Sequence, residues 1–387
     1  MTLKLKNLKK YRFYLVLTLL PFTPAAPSYG SDQIGIIGDD LATGAAAWST
    51  AAYDADALLA IFTGKEKMQP TDEQKALINE LGFATASDLA PPVRLSASPR
   101  EFVGGGDWIL KTLMHGVQHR FLDYETFSWS YLLSRRMGYQ GSQILIAAQD
   151  GARSNSAIVQ LDRILQRTDG ALPNDIIVQF TSGDVCGRFS HLITTEEDYA
   201  DNIRRFLRYA EKNGAPGSSG TNVWLFDPVG MMQIAINKDI LSKQVKAHGN
   251  TLSCRELHQY NKQTMPFSEK PEYADPVKKL VIDNFGASPN SYCSSIVNRL
   301  YDMTPQESQK FLANKLRSFR NSLNKVANEW AEHQSIKVRH ISQSGDLLLK
   351  AGDVAQDCFH LSLQGQLHLA QKAWKGMQKH QTHGAAN

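Results

Sequence analysis

Four short stretches carry residue types that could do chemistry. "IGIIGDDLATG" (Ile34 to Gly44) puts two adjacent carboxylates, Asp39 and Asp40, in a glycine-led turn after an apolar run. "QDGARSNS" (149 to 156) offers Gly151, whose backbone N–H could open a helix and face an anion. "TSGDVCG" (181 to 187) places Gly183 and Asp184 in a second tight turn, and "DCFHLSLQG" (357 to 365) sets Asp357 three residues before His360. A carboxylate that orients an imidazole, with backbone N–H groups nearby, is the apparatus of acyl transfer. The spacing Asp-x-x-His alone recurs by chance, as a helix cap beside a surface histidine.

The elements that must position these residues alternate along the chain. Short Ile- and Val-rich runs occur at 33 to 39, 143 to 149, 175 to 181, 222 to 228 and 336 to 342. Runs apolar on both faces suit a parallel sheet covered on two sides. Between them, "TTEEDYADNIRRFLRYAEKNG" predicts a helix with a capping box from Thr194 to Glu197 and a stop at Gly214, and 304 to 334 predicts a second long amphipathic helix. The order is that of an α/β fold with a central, mostly parallel sheet, whose ligand site lies at the C-terminal ends of the strands. The stretches 96 to 108, 214 to 222 and about 246 to 273 read as loops. No internal repeat or long linker divides the chain.

The N-terminus is a separate signal. "MTLKLKNLKKYR" carries five positive charges and no acid, the ten residues Phe13 to Phe22 are largely apolar, and "TPAAPSYG" ends in small residues. That is the layout of a secretory signal peptide, and the apolar run is too short to span a bilayer, which takes roughly 20 residues. The expectation is a signal peptide over 1–30, one domain over 31–380, no integral membrane segment after signal removal, and a secreted or periplasmic location. Removing those five cations takes the 42 Lys+Arg to 37 against 38 Asp+Glu, so no nucleic-acid surface is implied. In an oxidising compartment Cys186, Cys254, Cys293 and Cys358 can form two disulfides, with three possible connectivities. Proximity in sequence favours Cys186 with Cys254 and Cys293 with Cys358.

Taken in order, the four blocks resemble the SGNH or GDSL family of secreted esterases and lipases. "DYETFSWSYLL" (123 to 133), "SGDVC" and above all "DCFHLSLQG" resemble its phospholipase B-like branch. The resemblance runs from about Ile34 to Trp374. It implies a three-layer α/β/α sandwich of flavodoxin-like type, a lipid or small-molecule ester as substrate, and no cofactor. It also implies a serine nucleophile at Asp40, a base at His360 oriented by Asp357, and oxyanion donors at Gly151 and, as an asparagine side chain, at Gly183. The serine and the asparagine are both absent here.

An ionised Asp40 has no proton to surrender and would pair with His360 instead. Its charge opposes the oxyanion, and loss of one oxyanion donor alone typically costs about 2.7–4 kcal/mol. Three escapes exist. Asp40 could attack a carbonyl itself, but an ester would then yield an anhydride; Asp40 or His360 could act as a base on water; or a nearby hydroxyl (Thr43, Ser154, Ser156 or Ser182) could substitute. Asp39 reads as a turn and helix-cap residue, and His191, His258, His340 and His368 show no partner pattern. Asp39, Asp40 and Asp184 would offer oxygens to a divalent cation if they converged, but nothing in their spacing demands a metal. Two functions stay open: an ester hydrolase with an altered mechanism, and a non-catalytic protein binding lipid or glycan in the former cleft. A deacetylase of surface polysaccharide is a more distant third.

Overall fold

The computed structural model describes residues 32–44, 72–83, 90, 92–95, 127–215, 220–247, 250–259, 293–331, 333 and 335–384. The expected signal peptide and the loop 96–108 lie outside the described residues, as do positions 123–126 of the aromatic stretch.

Among the described residues eight strands run β1 (Ile34–Gly38), β2 (Val93–Arg94), β3 (Ile144–Ile146), β4 (Asp175–Gln179), β5 (Thr221–Phe226), β6 (Gln244–Ala247), β7 (Asn250–Ser253) and β8 (Ile336–Ile341). Six of them form one parallel sheet in the order β2-β3-β1-β4-β5-β8, while β6 and β7 pair antiparallel. In the register at the centre, Ile36 stands between Ile146 and Ile177. The isoleucines of β1, β3 and β4 are fully buried, which requires helices on both faces.

Those helices include α1 (Asp40–Thr43), α2 (Trp129–Arg136), α3 (Ala157–Arg167), α4 (Ser182–Val185), α5 (Glu196–Asn213), α6 (Pro305–Glu329) and α7 (Leu363–Gly384). Helices α3, α5 and α6 pack as one layer, with Tyr199 stacked on Phe319 at 4.2 Å, and α2 packs on α7 as the other. The result is the three-layer α/β/α sandwich.

Several local expectations are corrected. The cap of α5 is Thr195, which accepts from Asp198 N; Thr194 donates its hydroxyl to Asp184 instead. The helix expected over 304 to 334 is α6, which opens with a reciprocal Thr304–Glu307 capping box that the sequence reading did not single out and ends earlier, at Glu329. The β6–β7 hairpin occupies part of the expected loop 246–273, its four-residue polar strands giving no apolar run. The disulfides are Cys186–Cys293 and Cys254–Cys358, not the sequence-adjacent pairs. Folding brings the turn after β4 against Cys293, and the helix Cys254–Gln259 against the turn that carries Cys358.

Candidate active site

β1 is central, and the chain leaves it first toward β2 and β3 and later returns on its other side as β4. A crevice opens at the strands' C-terminal ends where such a reversal occurs. All four chemistry-bearing blocks lie on the connections that leave this edge or return to it.

Gly38 ends β1 where a Cβ would stand 2.3 Å from Gln179 O, so only glycine lets β4 approach. The buried Gln160 of α3 clamps that peptide, accepting from Gly38 N at 2.8 Å and donating to Gly38 O at 3.0 Å. The turn then presents Asp39 as the cap of α1, accepting from Leu41 N at 3.2 Å, and Asp40 as its first residue.

The C-terminal block is held as tightly. Asp357 Oδ1 accepts from Phe359 N and His360 N, both at 3.0 Å, and Oδ2 meets His360 Nδ1 at 2.5 Å. Between them Cys358 has φ +60, a costly conformation for a side-chain-bearing residue. It is fixed by the bond to Cys254 and by His258 Nε2 on its carbonyl. The turn therefore delivers the imidazole with Nδ1 on Asp357 and Nε2 on Asp40 Oδ2 at 3.1 Å.

The structure thus brings Asp40, His360 and Asp357 together across 320 residues of chain. Burial alone would lower the imidazole's pKa, but the charges and hydrogen bonds of Asp357 and Asp40 hold it well above the ordinary 6.5. Burial would likewise raise both aspartates, and His360 outweighs it, so both lie below the usual carboxylate range. At neutral pH the site is an imidazolium between two carboxylates. Its Nε2 has no lone pair with which to take a proton.

Asp39 behaves oppositely. Burial first, and the neighbouring charge of Asp40 second, push its carboxyl up to about 8. Its Oδ2 accepts from Thr181 N at 2.6 Å and lies 3.0 Å from Ser182 Oγ, which donates to Asp40 Oδ1. Ser182, raised in the sequence only as one spare hydroxyl among four, is the bridge between the two acids; 1% exposed, it faces no substrate. The other three are also committed: Thr43 to Asp40 O and Asp150, Ser154 to Asp184, Ser156 to Arg153 O.

The remaining candidates are placed differently from expectation. Gly151 lies in an exposed turn with φ +70, and α3 starts only at Ala157 after one 3-10 turn, so Gly151 does not open the helix. A Cβ on Gly183 would stand 1.7 Å from Ala152 O, so this backbone has no room for an asparagine. Asp184 does not reach the cleft. Fully buried, it accepts from Ser154 N, Ser154 Oγ and Thr194 Oγ1, stapling the second block to the third. Among the described residues no group of three or more His, Cys, Asp or Glu could hold a metal, so Asp39, Asp40 and Asp184 make no cation site. Of the histidines without a sequence pattern, His340 meets Asp227 at 2.5 Å and His368 meets Asp353 at 2.7 Å.

A family model described as GDSL-like Lipase/Acylhydrolase matches residues 104–373. The match takes in Gly151, Gly183, Asp184, Asp357 and His360 and begins beyond Asp40. No curated protein matches the chain.

Proposed function

The chain belongs to the GDSL-like lipase/acylhydrolase family, and on that premise we propose that it is an exported protein that takes carboxylic ester ligands with its serine mechanism disabled at neutral pH. Ester hydrolysis is the activity of its family. Asp40 stands where the family's serine would, and the single observation that carries the reading is the 3.1 Å pairing of His360 Nε2 with Asp40 Oδ2.

In the serine mechanism the imidazole removes the hydroxyl proton as the oxygen attacks the acyl carbon, and backbone N–H groups hold the oxyanion. Here the imidazole is already protonated, and the carboxylate it faces would repel the developing oxyanion. Asp357 still orients His360, and the backbone N–H groups of Asp40 and Gly151 remain as candidate donors, so binding and orientation outlast the covalent step. A phospholipase B-like ancestry is supported by "DCFHLSLQG", and export by the signal layout together with the two disulfides. Among the described residues no helix is long and apolar enough to cross a membrane.

The test is hydrolysis of short and medium acyl nitrophenyl esters by the mature protein beside Asp40→Ser and His360→Ala. The unaltered chain should be inert at pH 7. Asp40→Ser should gain phosphonate-sensitive turnover that disappears when His360→Ala is added. Turnover by the unaltered chain at pH 7 that is abolished in His360→Ala would mean a working base on water, and would overturn the reading.

A further inference from the structure

Asp40 presents its two oxygens to different partners. Oδ1 accepts from the hydroxyl of Ser182, which is 1% exposed, and Oδ2 stands 3.1 Å from His360 Nε2. The side chains of Asp40 and His360 keep 8% and 16% of their surface in solvent, so a reagent arrives on the Oδ2 side.

A carboxylate attacking an ester gains only an anhydride, but at a saturated carbon it forms a stable ester of its own side chain. In such a displacement the leaving group departs on the face opposite the nucleophile. The acid that touches the attacking oxygen, His360 Nε2, is hydrogen-bonded to it and so stands on the nucleophile's side. Glycosides and epoxides, whose leaving oxygen takes a proton, are therefore poorly served; retaining glycosidases hold their two carboxyl groups about 5–5.5 Å apart to reach both faces. A halide needs no proton to leave.

We propose that the cleft hydrolyses alkyl halides, Asp40 displacing halide at a saturated carbon and His360 directing water onto the resulting aspartyl ester. Oδ2 bonds to the carbon as the carbon–halogen bond breaks, and halide leaves with the electron pair. Esterification removes the charge of Asp40, one of the two carboxylates that hold the imidazolium's proton, and that proton passes to solvent. The neutral Nε2 then takes a proton from water as the water oxygen bonds to Cγ. Negative charge gathers on Oδ1, where Ser182 donates. Collapse breaks the bond between Cγ and the alkyl oxygen, and the alkoxide takes the imidazolium proton and leaves as alcohol. The new carboxyl proton passes to Nε2, which restores the imidazolium beside an ionised Asp40. The sum is alkyl halide plus water giving alcohol, halide ion and a proton. This reaction goes beyond the ester reading, since it uses the very carboxylate that blocks the serine mechanism.

The experiment treats the native chain with bromoethane or bromohexane in water labelled with oxygen-18, enzyme in excess so that each active chain turns over once. Bromide should be released, the alcohol should carry ordinary oxygen taken from Asp40, and the label should enter the peptide that contains Asp40. Label in the alcohol, the result of direct attack by water, would overturn the proposal, as would release of bromide no faster than in buffer from both compounds. His360→Gln, which keeps the nucleophile, should stop after one bromide per chain with the alkyl group on Asp40; an alkyl group found only elsewhere also overturns it. Ser182→Ala should slow alcohol release about a hundredfold, the loss typical of one oxyanion donor, and leave the first bromide release in place. Asp40→Ser should release no bromide, although it is the variant expected to gain ester turnover. The labelling needs no variant, so a substitution that fails to fold leaves the test intact. Bromide release and ester turnover report on different bonds, so failure of one reading leaves the other standing.

Discussion

Two neighbouring carboxyls share one buried hydroxyl at the end of β1, and a single hydroxyl hydrogen cannot serve both. Ser182 gives its hydrogen to Asp40, so a proton on Asp39 completes the contact at 3.0 Å. This has a measurable sign. Asp39 titrates near 8 when folded against an ordinary 3.8, so its stabilisation is full below 3.8 and is lost as pH rises through about 8. One such group costs about 1.4 kcal/mol of stability per pH unit within that window. Asp39→Asn should therefore flatten the fall in urea-unfolding free energy between pH 5 and 8; an unchanged slope would show Asp39 ionised throughout. His360, raised, also loses its contribution toward alkaline pH, whereas Asp40 and Asp357, lowered, lose theirs toward acid. The meeting of Asp40 with His360 and Asp357 was legible from the order of the four blocks along the chain, to which the Asp-x-x-His spacing of the last alone would have added little. The bridge by Ser182 was not, because it joins residues 142 apart and no local pattern records it.

At the scale of elements, β1, β3, β4 and β5 were legible because each lies in an apolar run that a two-sided parallel sheet buries, and β8 because Ile336, Val338 and Ile341 mark it. The short strand Val93–Arg94 and the hairpin β6–β7 were not, having too few apolar residues to mark them. The slipped cap of α5 has a specific cause. Thr194 and Thr195 are equivalent as local signals, and the distant Asp184 decides between them by taking Thr194. Element packing also decides what can be restored at the site. With Ala152 O where a side chain on residue 183 would go, adding Gly183→Asn to Asp40→Ser should yield no further ester turnover, and the melting temperature should fall. A double variant at least tenfold more active than Asp40→Ser would show that the 149–153 turn gives way.

At the scale of the molecule, the two disulfides tie the site turns to distant chain. Cys186–Cys293 closes a 107-residue separation next to α4, and Cys254–Cys358 a 104-residue separation at the His360 turn. Replacing Cys186 and Cys293 together by serine should cost about 2–5 kcal/mol, read as a lower urea midpoint. An unchanged midpoint would remove this bridge from the account of stability. The native pairs interleave: the second begins inside the span of the first, and the first ends inside the span of the second. A chain emerging from its N-terminus therefore offers Cys186 the wrong thiol, Cys254, before Cys293 has been synthesised. Correct maturation must then wait for the downstream third of the chain or undo an early bond by thiol exchange. Yield of this protein is accordingly tied to a compartment that both oxidises and reshuffles cysteines, and a strongly oxidising host without an isomerase should accumulate the mispaired form.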